Sequence, residues 1–424
     1  MTLKARDMKQ SPHNRNGISL ACCAFLFLSS LSWAGNEDLI NKGKYLATAS
    51  DCVACHTATN GQYFAGGLSF DTPFGTIFSP NITPDNEYGI GKYSSDQFYA
   101  SLNRGIRGDG ARLYPAMPYT SFHYITREDS DAMYAYFMSI RPVSHKNTKN
   151  DLSFPFNIRS VLIFWNLLFL NTDAFDINEK ESEQWNRGKY LVEGPGHCGE
   201  CHTPRNKIFF AMEEDKDLQG FLLGNLVAPN ITENVLISKG WTEESLINFF
   251  KYGSSKKGSA FGPMSEVVFH STQHLTKSDI SAMSYYLLNS RIMTPDAPEN
   301  VAAVDMGDSE NTEGQSIYFA NCAGCHGNTG QGIQHVAPPL MGNATVSSNN
   351  PHNLVTVVLN GVPTHRYSSV NAFYAMPDFK GVLSNQQITE LVNFLRTSWS
   401  GVTPPVTTEE VESIRKKVTK NAAH

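Results

Sequence analysis

Charge is scarce in this chain: Lys, Arg, Asp and Glu together make up 17% of its 424 residues. The 34 Lys and Arg are outnumbered by 40 Asp and Glu. No basic surplus is present to hold a phosphate backbone, which argues against nucleic acid as a partner. Long apolar runs are lacking too. The two most extended, Ile18 to Leu31 and Val161 to Leu170, fall short of the roughly 20 residues that a bilayer-crossing helix needs. Cysteine is nearly absent outside one pattern, because six of the eight lie within three copies of Cys-x-x-Cys-His. There is no nucleophile constellation or general acid-base pair. His197, His335 and His365 stand alone, and a lone His is more often a hydrogen-bonded structural residue than a catalyst.

The three copies are Cys52-Cys55-His56, Cys198-Cys201-His202 and Cys322-Cys325-His326. Two thiols one helical turn apart suit the two vinyl groups of a haem, and the adjacent His reaches the iron as proximal ligand. Zinc would call for a second thiol pair or a separated His pair, and neither explains a His fixed behind the second Cys three times. A thioredoxin-type disulfide would need a strand-helix context that none of the three has. The pattern therefore predicts three covalently bound haem c groups.

Cys22 and Cys23 belong to a different segment. Lys4, Arg6, Lys9 and Arg15 precede the run from Ile18 to Leu31, which ends in Ser32-Trp33-Ala34. A basic stretch, an apolar stretch and small residues where a signal peptidase cuts predict an export signal over residues 1–34. Haem attachment of this type takes place outside the bacterial cytoplasm, so an exported protein is expected.

The motifs divide the rest into three units. The expected fold is mainly α, with three tandem helical units, each around a covalent haem. The boundaries are 35–150, 183–298 and 299–400, with a connector at 151–182 and a polar tail at 401–424. Each unit opens with a helix carrying Gly and an aromatic: Gly43 with Tyr45, Gly188 with Tyr190, Gly314 with Tyr318. Small residues there would let two helices cross closely. Mid-unit helices run from Tyr93-Ser94 to Gly105 and from Trp241-Thr242 to Gly253, 12 residues from aromatic to glycine in both. They start on a hydroxyl cap and end on Gly. The third unit keeps the run Leu354 to Leu359 and Asn360-Gly361. Closing helices are expected over Thr126–Ile140, Thr276–Leu288 and Ser384–Leu395. Thr126 with Asp129, Thr276 with Asp279 and Ser384 with Gln387 resemble capping boxes, although only Gln387 is a preferred partner. Tyr136, Tyr286 and Phe394 are expected to pack on the first helix of their own unit.

A sixth iron ligand must come from elsewhere. Met117, Met264 and Met376 each lie beside proline, after the mid-unit glycine and before the closing helix. From His56 to Met117 is 61 residues, from His202 to Met264 62, and from His326 to Met376 50. Proline forbids regular helix there and would hold the sulfur on a loop facing the haem. Met341 is the rival for the third iron, but comes too early relative to Gly361. Filling both axial positions with His and Met favours electron transfer over oxygen chemistry. A haem peroxidase, the competing enzyme reading, needs an open sixth site. The prolines in Ser79-Pro80-Asn81-Ile82-Thr83, Ala228-Pro229-Asn230-Ile231-Thr232 and Ala337-Pro338-Pro339-Leu340 offer carbonyls to the proximal imidazoles, or simply shape loops.

Together Gly43-Lys44-Tyr45-Leu46, Cys52-Val53-Ala54-Cys55-His56, Arg187-Gly188-Lys189-Tyr190-Leu191, His197 to Arg205 and Gly262-Pro263-Met264 resemble the three-haem cytochrome c subunits of membrane-bound bacterial dehydrogenases for alcohols, sugars and sugar acids. The gluconate 2-dehydrogenase subunit is one of that type, and the similarity spans about residues 36–400. It implies three tandem cytochrome c-like helical domains, a large partner subunit containing FAD or PQQ, a small third subunit in some such complexes, and ubiquinone as electron acceptor at the periplasmic face of the inner membrane. The alternative is a self-standing exported cytochrome that shuttles between unrelated partners. Two segments bear on membrane contact. Val161 to Leu170 is too short to span and too apolar for a free linker, so it is expected either at a membrane surface or buried against neighbouring protein. The tail from Glu409 to His424 carries only a thin apolar stripe, Val411, Ile414 and Val418, and is expected as a solvated helix.

Overall fold

The computed structural model describes residues 36–295, 312–364, 367, 373–401 and 405–421. The expected export signal and His365 lie outside the described residues. The first unit consists of α1 (36–49), α2 (Cys52–Cys55), α3 (Ser95–Arg104), α4 (Tyr119–Phe122) and α5 (Arg127–Ser139). Its small antiparallel sheet pairs β1 (Ser69–Thr72) with β2 (Gly75–Phe78), and β2 with β3 (Asp151–Leu152). The connector helix α6 (Val161–Phe169) leads to α7 (Glu183–Glu193), α8 (Gly199–His202), the hairpin β4 (Phe221–Leu223) and β5 (Leu226–Ala228), α9 (Glu233–Ser238), α10 (Glu243–Tyr252), α11 (Pro263–His270) and α12 (Lys277–Leu287). The third unit holds α13 (Thr312–Asn321), α14 (Ala323–His326), α15 (His352–Asn360), α16 (Asn385–Ser400) and α17 (Thr408–Asn421). The chain is mainly α-helical, and each unit closes on its own apolar cluster.

The mid-unit helices end where their caps dictate. Ser94 and Gln97 form a reciprocal capping box at α3, as do Thr242 and Ser245 at α10. Gly105 and Gly253 stop the two helices in the left-handed region, at φ 58° and 66°, where a Cβ is costly.

The opening and closing helices cross at glycine in every unit. A Cβ on Gly43 would lie 1.9 Å from the Ala132 carbonyl oxygen, one on Gly188 2.1 Å from that of Ala282, and one on Gly314 2.3 Å from that of Glu390. Tyr136, Tyr286 and Phe394 close the same three crossings through their Cβ atoms. Backbone contact leaves no room for any side chain, and this sets the depth to which each pair of helices nests.

The first two units dock about a pseudo-two-fold axis. Tyr45 on α1 donates to Asp279 Oδ2 on α12 at 2.5 Å, and its counterpart Tyr190 on α7 donates to Asp129 Oδ2 on α5 at 2.5 Å. Each Asp also holds the base of its own unit. Arg187 forks onto Asp279 at 2.8 and 2.8 Å, and Lys42 lies 2.8 Å from Asp129. Burial would raise the Asp279 carboxyl, but the hydrogen bonds from Arg187 and Tyr45 outweigh it and hold the group below its usual range. The use of Asp explains the imperfect boxes. Thr126 and Thr276 accept from the Asp129 and Asp279 amides, while those carboxylates face the neighbouring unit. Of the three closing helices, only that of Ser384 and Gln387, outside this interface, completes the reciprocal pair.

Two expectations need correction. Residues 151–152, assigned to the connector, form β3 on the first unit's sheet. The tail is not solvated: Val411, Ile414 and Val418 are buried in the third unit's core. Arg415 donates to Asn385 Oδ1 and to the Lys380 and Leu383 carbonyls. A three-residue stripe at helical spacing is enough when a waiting groove accepts it, and the sequence could not show that groove.

Replacing Tyr190 with Phe deletes one hydroxyl and leaves Asp129 Oδ2 without its cross-unit donor. The expected cost is about 1–3 kcal/mol, read as a lower urea midpoint at unchanged m-value in the haem-loaded protein.

Candidate haem centres

Each apolar cluster gathers the first thiol and the methionine of its own unit. Cys52 and Met117 pack on the first core, Cys198 and Met264 on the second, Cys322 and Met376 on the third. Among the described residues no two cysteines are joined in a disulfide. Burial pushes Cys55 and Cys198 up to about 12 and Cys322 up to about 11. The apolar wall that raises them is also the setting an uncharged thioether needs. Among the described residues, no three His, Cys, Asp or Glu side chains converge on a metal position.

The three motif histidines share one hydrogen bond. His56 Nδ1 lies 2.8 Å from the Pro80 carbonyl oxygen, His202 Nδ1 2.7 Å from that of Pro229, and His326 Nδ1 2.9 Å from that of Pro338. A carbonyl can only accept, so Nδ1 carries the proton and Nε2 keeps its lone pair for iron. Burial lowers the pKa of all three imidazoles despite the opposing pull of the carbonyl, and they stay neutral as ligation requires. Of the two roles open to these prolines, acceptor and loop former, the geometry gives them the first.

At the second unit a cavity of roughly 680 Å³ is lined by Cys198, Cys201, His202 and Met264 together, within the usual size of a cofactor pocket. The donor set fits a haem: two thiols, a neutral imidazole and a thioether around apolar walls. Met264 differs from its expected loop setting, because Gly262 at φ 56° turns the chain and Pro263 starts α11, placing Met264 in its first turn. Proline at the first helical position nucleates a helix instead of preventing one. Met376 is held by a two-way bridge to Val362, 3.0 and 2.8 Å. Met341, the rival, is exposed and does not join the third core. Met117 follows a turn closed onto the Tyr114 carbonyl at 3.0 Å.

Both neighbours complete the second site. Ala49 and Asp51 of the first unit and Asn349 and Asn353 of the third line its cavity. Asp51 enters in the left-handed conformation with its Oδ1 buried and unpartnered. Burial, with Glu266 nearby, pushes its carboxyl up to about 8, so it is uncharged there at neutral pH. Asn353 behaves as a strand edge, accepting from the Val227 amide at 2.8 Å and donating to the Val227 carbonyl at 2.7 Å.

Sequence reasoning missed Glu200, between the second pair of thiols. Its carboxylate accepts from Thr120, Ser121 and Arg205, which ties the second motif to the short helix behind Met117. The reciprocal tie runs from the Ser271 hydroxyl to the Ala49 carbonyl at 3.2 Å. An acid inside the motif with a base at Arg205 was the available signal, but its partners lie 79 and 80 residues away. Of the lone histidines, His197 stacks on Phe122 across the unit boundary at 5.4 Å, a packing role. Replacing Glu200 with Ala leaves Arg205 buried and unpaired. It should cost about 3–5 kcal/mol, measured as loss of urea resistance, and should loosen the first unit from the second, measured as faster limited proteolysis of the connector.

Comparison with known proteins agrees with this geometry. Residues 40–141 and 312–399 match the cytochrome c family. The chain is 39% identical over 425 residues to the cytochrome c subunit of alcohol dehydrogenase (quinone) from Gluconacetobacter polyoxogenes, covering 95% of this chain and 90% of that one. It is 38% identical over 423 residues to the gluconate 2-dehydrogenase cytochrome c subunit of Pantoea cypripedii, covering 94% and 95%. It is 34% identical over 401 residues to the fructose dehydrogenase cytochrome subunit of Gluconobacter japonicus, covering 89% and 82%. Thiols, imidazoles held on carbonyls and matching repeats thus meet an end-to-end similarity, and the chain belongs to the family of dehydrogenase cytochrome c subunits.

Proposed function

We propose that this chain is the exported electron-transfer subunit of a membrane-bound dehydrogenase complex, carrying three haem c groups and relaying single electrons from a partner subunit to ubiquinone. The partner holds FAD or PQQ and oxidises an alcohol, sugar or sugar acid. The observation that carries the reading is the threefold recurrence of one arrangement: a motif His with Nδ1 on a proline carbonyl, beside a core that holds a thiol and a Met.

A haem, when bound, supplies one-electron exchange at its iron. The chain's residues do the rest. Cys52 and Cys55, Cys198 and Cys201, Cys322 and Cys325 anchor the groups. His56, His202 and His326 would offer Nε2 to the iron, and Met117, Met264 and Met376 would offer sulfur. The proline carbonyls fix the imidazole planes, and the apolar cores exclude water. Oxidation of CH–OH to C=O releases two electrons and two protons at the partner, so a subunit that takes electrons singly must accept twice. The cavity at the second unit, reaching residues of both neighbours, supports the second haem as the middle of the file.

Alkaline pyridine spectra of the purified protein should give three haems per polypeptide, and a count of two or fewer in maturation-competent cells would overturn the reading. In the complex co-purified with its partner, substrate should reduce the haems without added mediator. Ala in place of Met117, Met264 or Met376 should each open one reduced haem to carbon monoxide and lower one midpoint potential. Met341→Ala should do neither.

A further inference from the structure

Helix α6 is built inside out. Its two polar side chains face the protein: Asn166 is buried and accepts from the Tyr119 hydroxyl at 2.9 Å, and Trp165 Nε1 donates to the Phe209 carbonyl at 2.9 Å. Its apolar side chains face outward, with Phe164 69%, Leu167 80% and Leu168 65% exposed. Ile208 at 76%, with Phe209 and Phe154 also exposed, extends the same surface from neighbouring loops. Edge contacts from Trp165 and Phe169 hold the helix to Phe209 and to Tyr119, so the orientation is fixed by packing on both sides of the connector.

From Ser160 to Thr172 the chain holds no charged residue. Arg159, just before it, is turned away, with its guanidinium 4.5 Å from the Tyr114 ring centre and donating to the Arg112 carbonyl at 2.8 Å. Lys207 is exposed beside Ile208 at the rim. A protein partner normally meets a surface with about one hydrogen bond per 100–200 Å² and a polar rim. Here the polar groups of the helix are already spent inward, and the outward side chains carry none. Protruding uncharged aliphatic and aromatic side chains, with a cation at the edge for a headgroup phosphate, suit the boundary between lipid headgroups and acyl chains. The tail cannot compete for this role, since its apolar stripe is consumed by the third core. Among the described residues no helix is long and apolar enough to cross a membrane.

We propose that α6, with Ile208 and Phe209, is a lipid-inserting surface that seats the subunit on the bilayer. This deepens the proposed delivery of electrons to ubiquinone, and rests on that reading only for its purpose, not for its evidence.

The test uses the haem-loaded protein and uncharged phosphatidylcholine vesicles. Wild type should co-sediment with vesicles at low and at high salt alike. Phe164→Glu/Leu167→Glu/Leu168→Glu should bind about a hundredfold or more weaker while keeping its visible spectrum and its reduction by the dehydrogenase. As a milder probe, a nitroxide attached at Leu167→Cys should gain access to oxygen, and lose access to a water-soluble relaxant, when vesicles are added. Equal vesicle binding by the triple variant, or an unchanged nitroxide, overturns the lipid surface. So does failure of wild type to bind vesicles combined with loss of the partner subunit in the triple variant, which would give the surface to protein. If wild type binds vesicles as expected yet substrate never reduces its haems, the membrane surface stands and the electron-transfer reading fails.

Discussion

Three imidazoles are held by three proline carbonyls, and the rest of the arrangement makes sense around that hydrogen bond. It fixes which nitrogen is protonated and which way each ring faces. The carbonyl can reach the ring only if the loop after the motif folds back, and in the first two units that loop is closed by matching Asn-Ile-Thr strings. Asn81 and Asn230 accept from the Thr83 and Thr232 amides at 2.9 Å in both. In the third unit a shorter loop does the same work through Pro338, 12 residues from the motif His instead of 24 and 27. The ligand geometry is thus kept while the loop that delivers it changes.

Nesting of helices at Gly43, Gly188 and Gly314 brings the opening and closing helices of each unit into backbone contact beside its apolar core. The same helices carry the contacts between units. Tyr45 and Tyr190 sit two residues past their glycines, which places their hydroxyls beyond the crossing and into the other unit. The crossing glycine and the docking tyrosine are therefore parts of one short segment. In the third unit Tyr318 instead turns inward onto the Gly327 carbonyl. That unit is joined to the second through Asn353 and the β5 edge.

Much of the site could be read from the chain because its determinants are local. The thiol spacing, the adjacent His, the Ser94 and Thr242 caps and the Gly105 and Gly253 stops all act within a few residues. Met264 lies in a helix instead of the expected loop, since proline beside it starts a helix when a left-handed glycine precedes. Glu200 was missed because its chemistry is defined only by residues of another unit.

The sequence by itself determined the cofactor chemistry, the threefold repeat and the ends of the principal helices. Each of these follows from covalent spacing or from hydrogen bonds closed within a turn. Only the tertiary structure decided that Asp129 and Asp279 look outward to a neighbour's tyrosine and that Val411, Ile414 and Val418 are core. It alone decided that α6 turns its polar side in. Burial and pairing across tens of residues depend on which surface a folded unit offers, and local pattern holds no record of that surface until the units have packed.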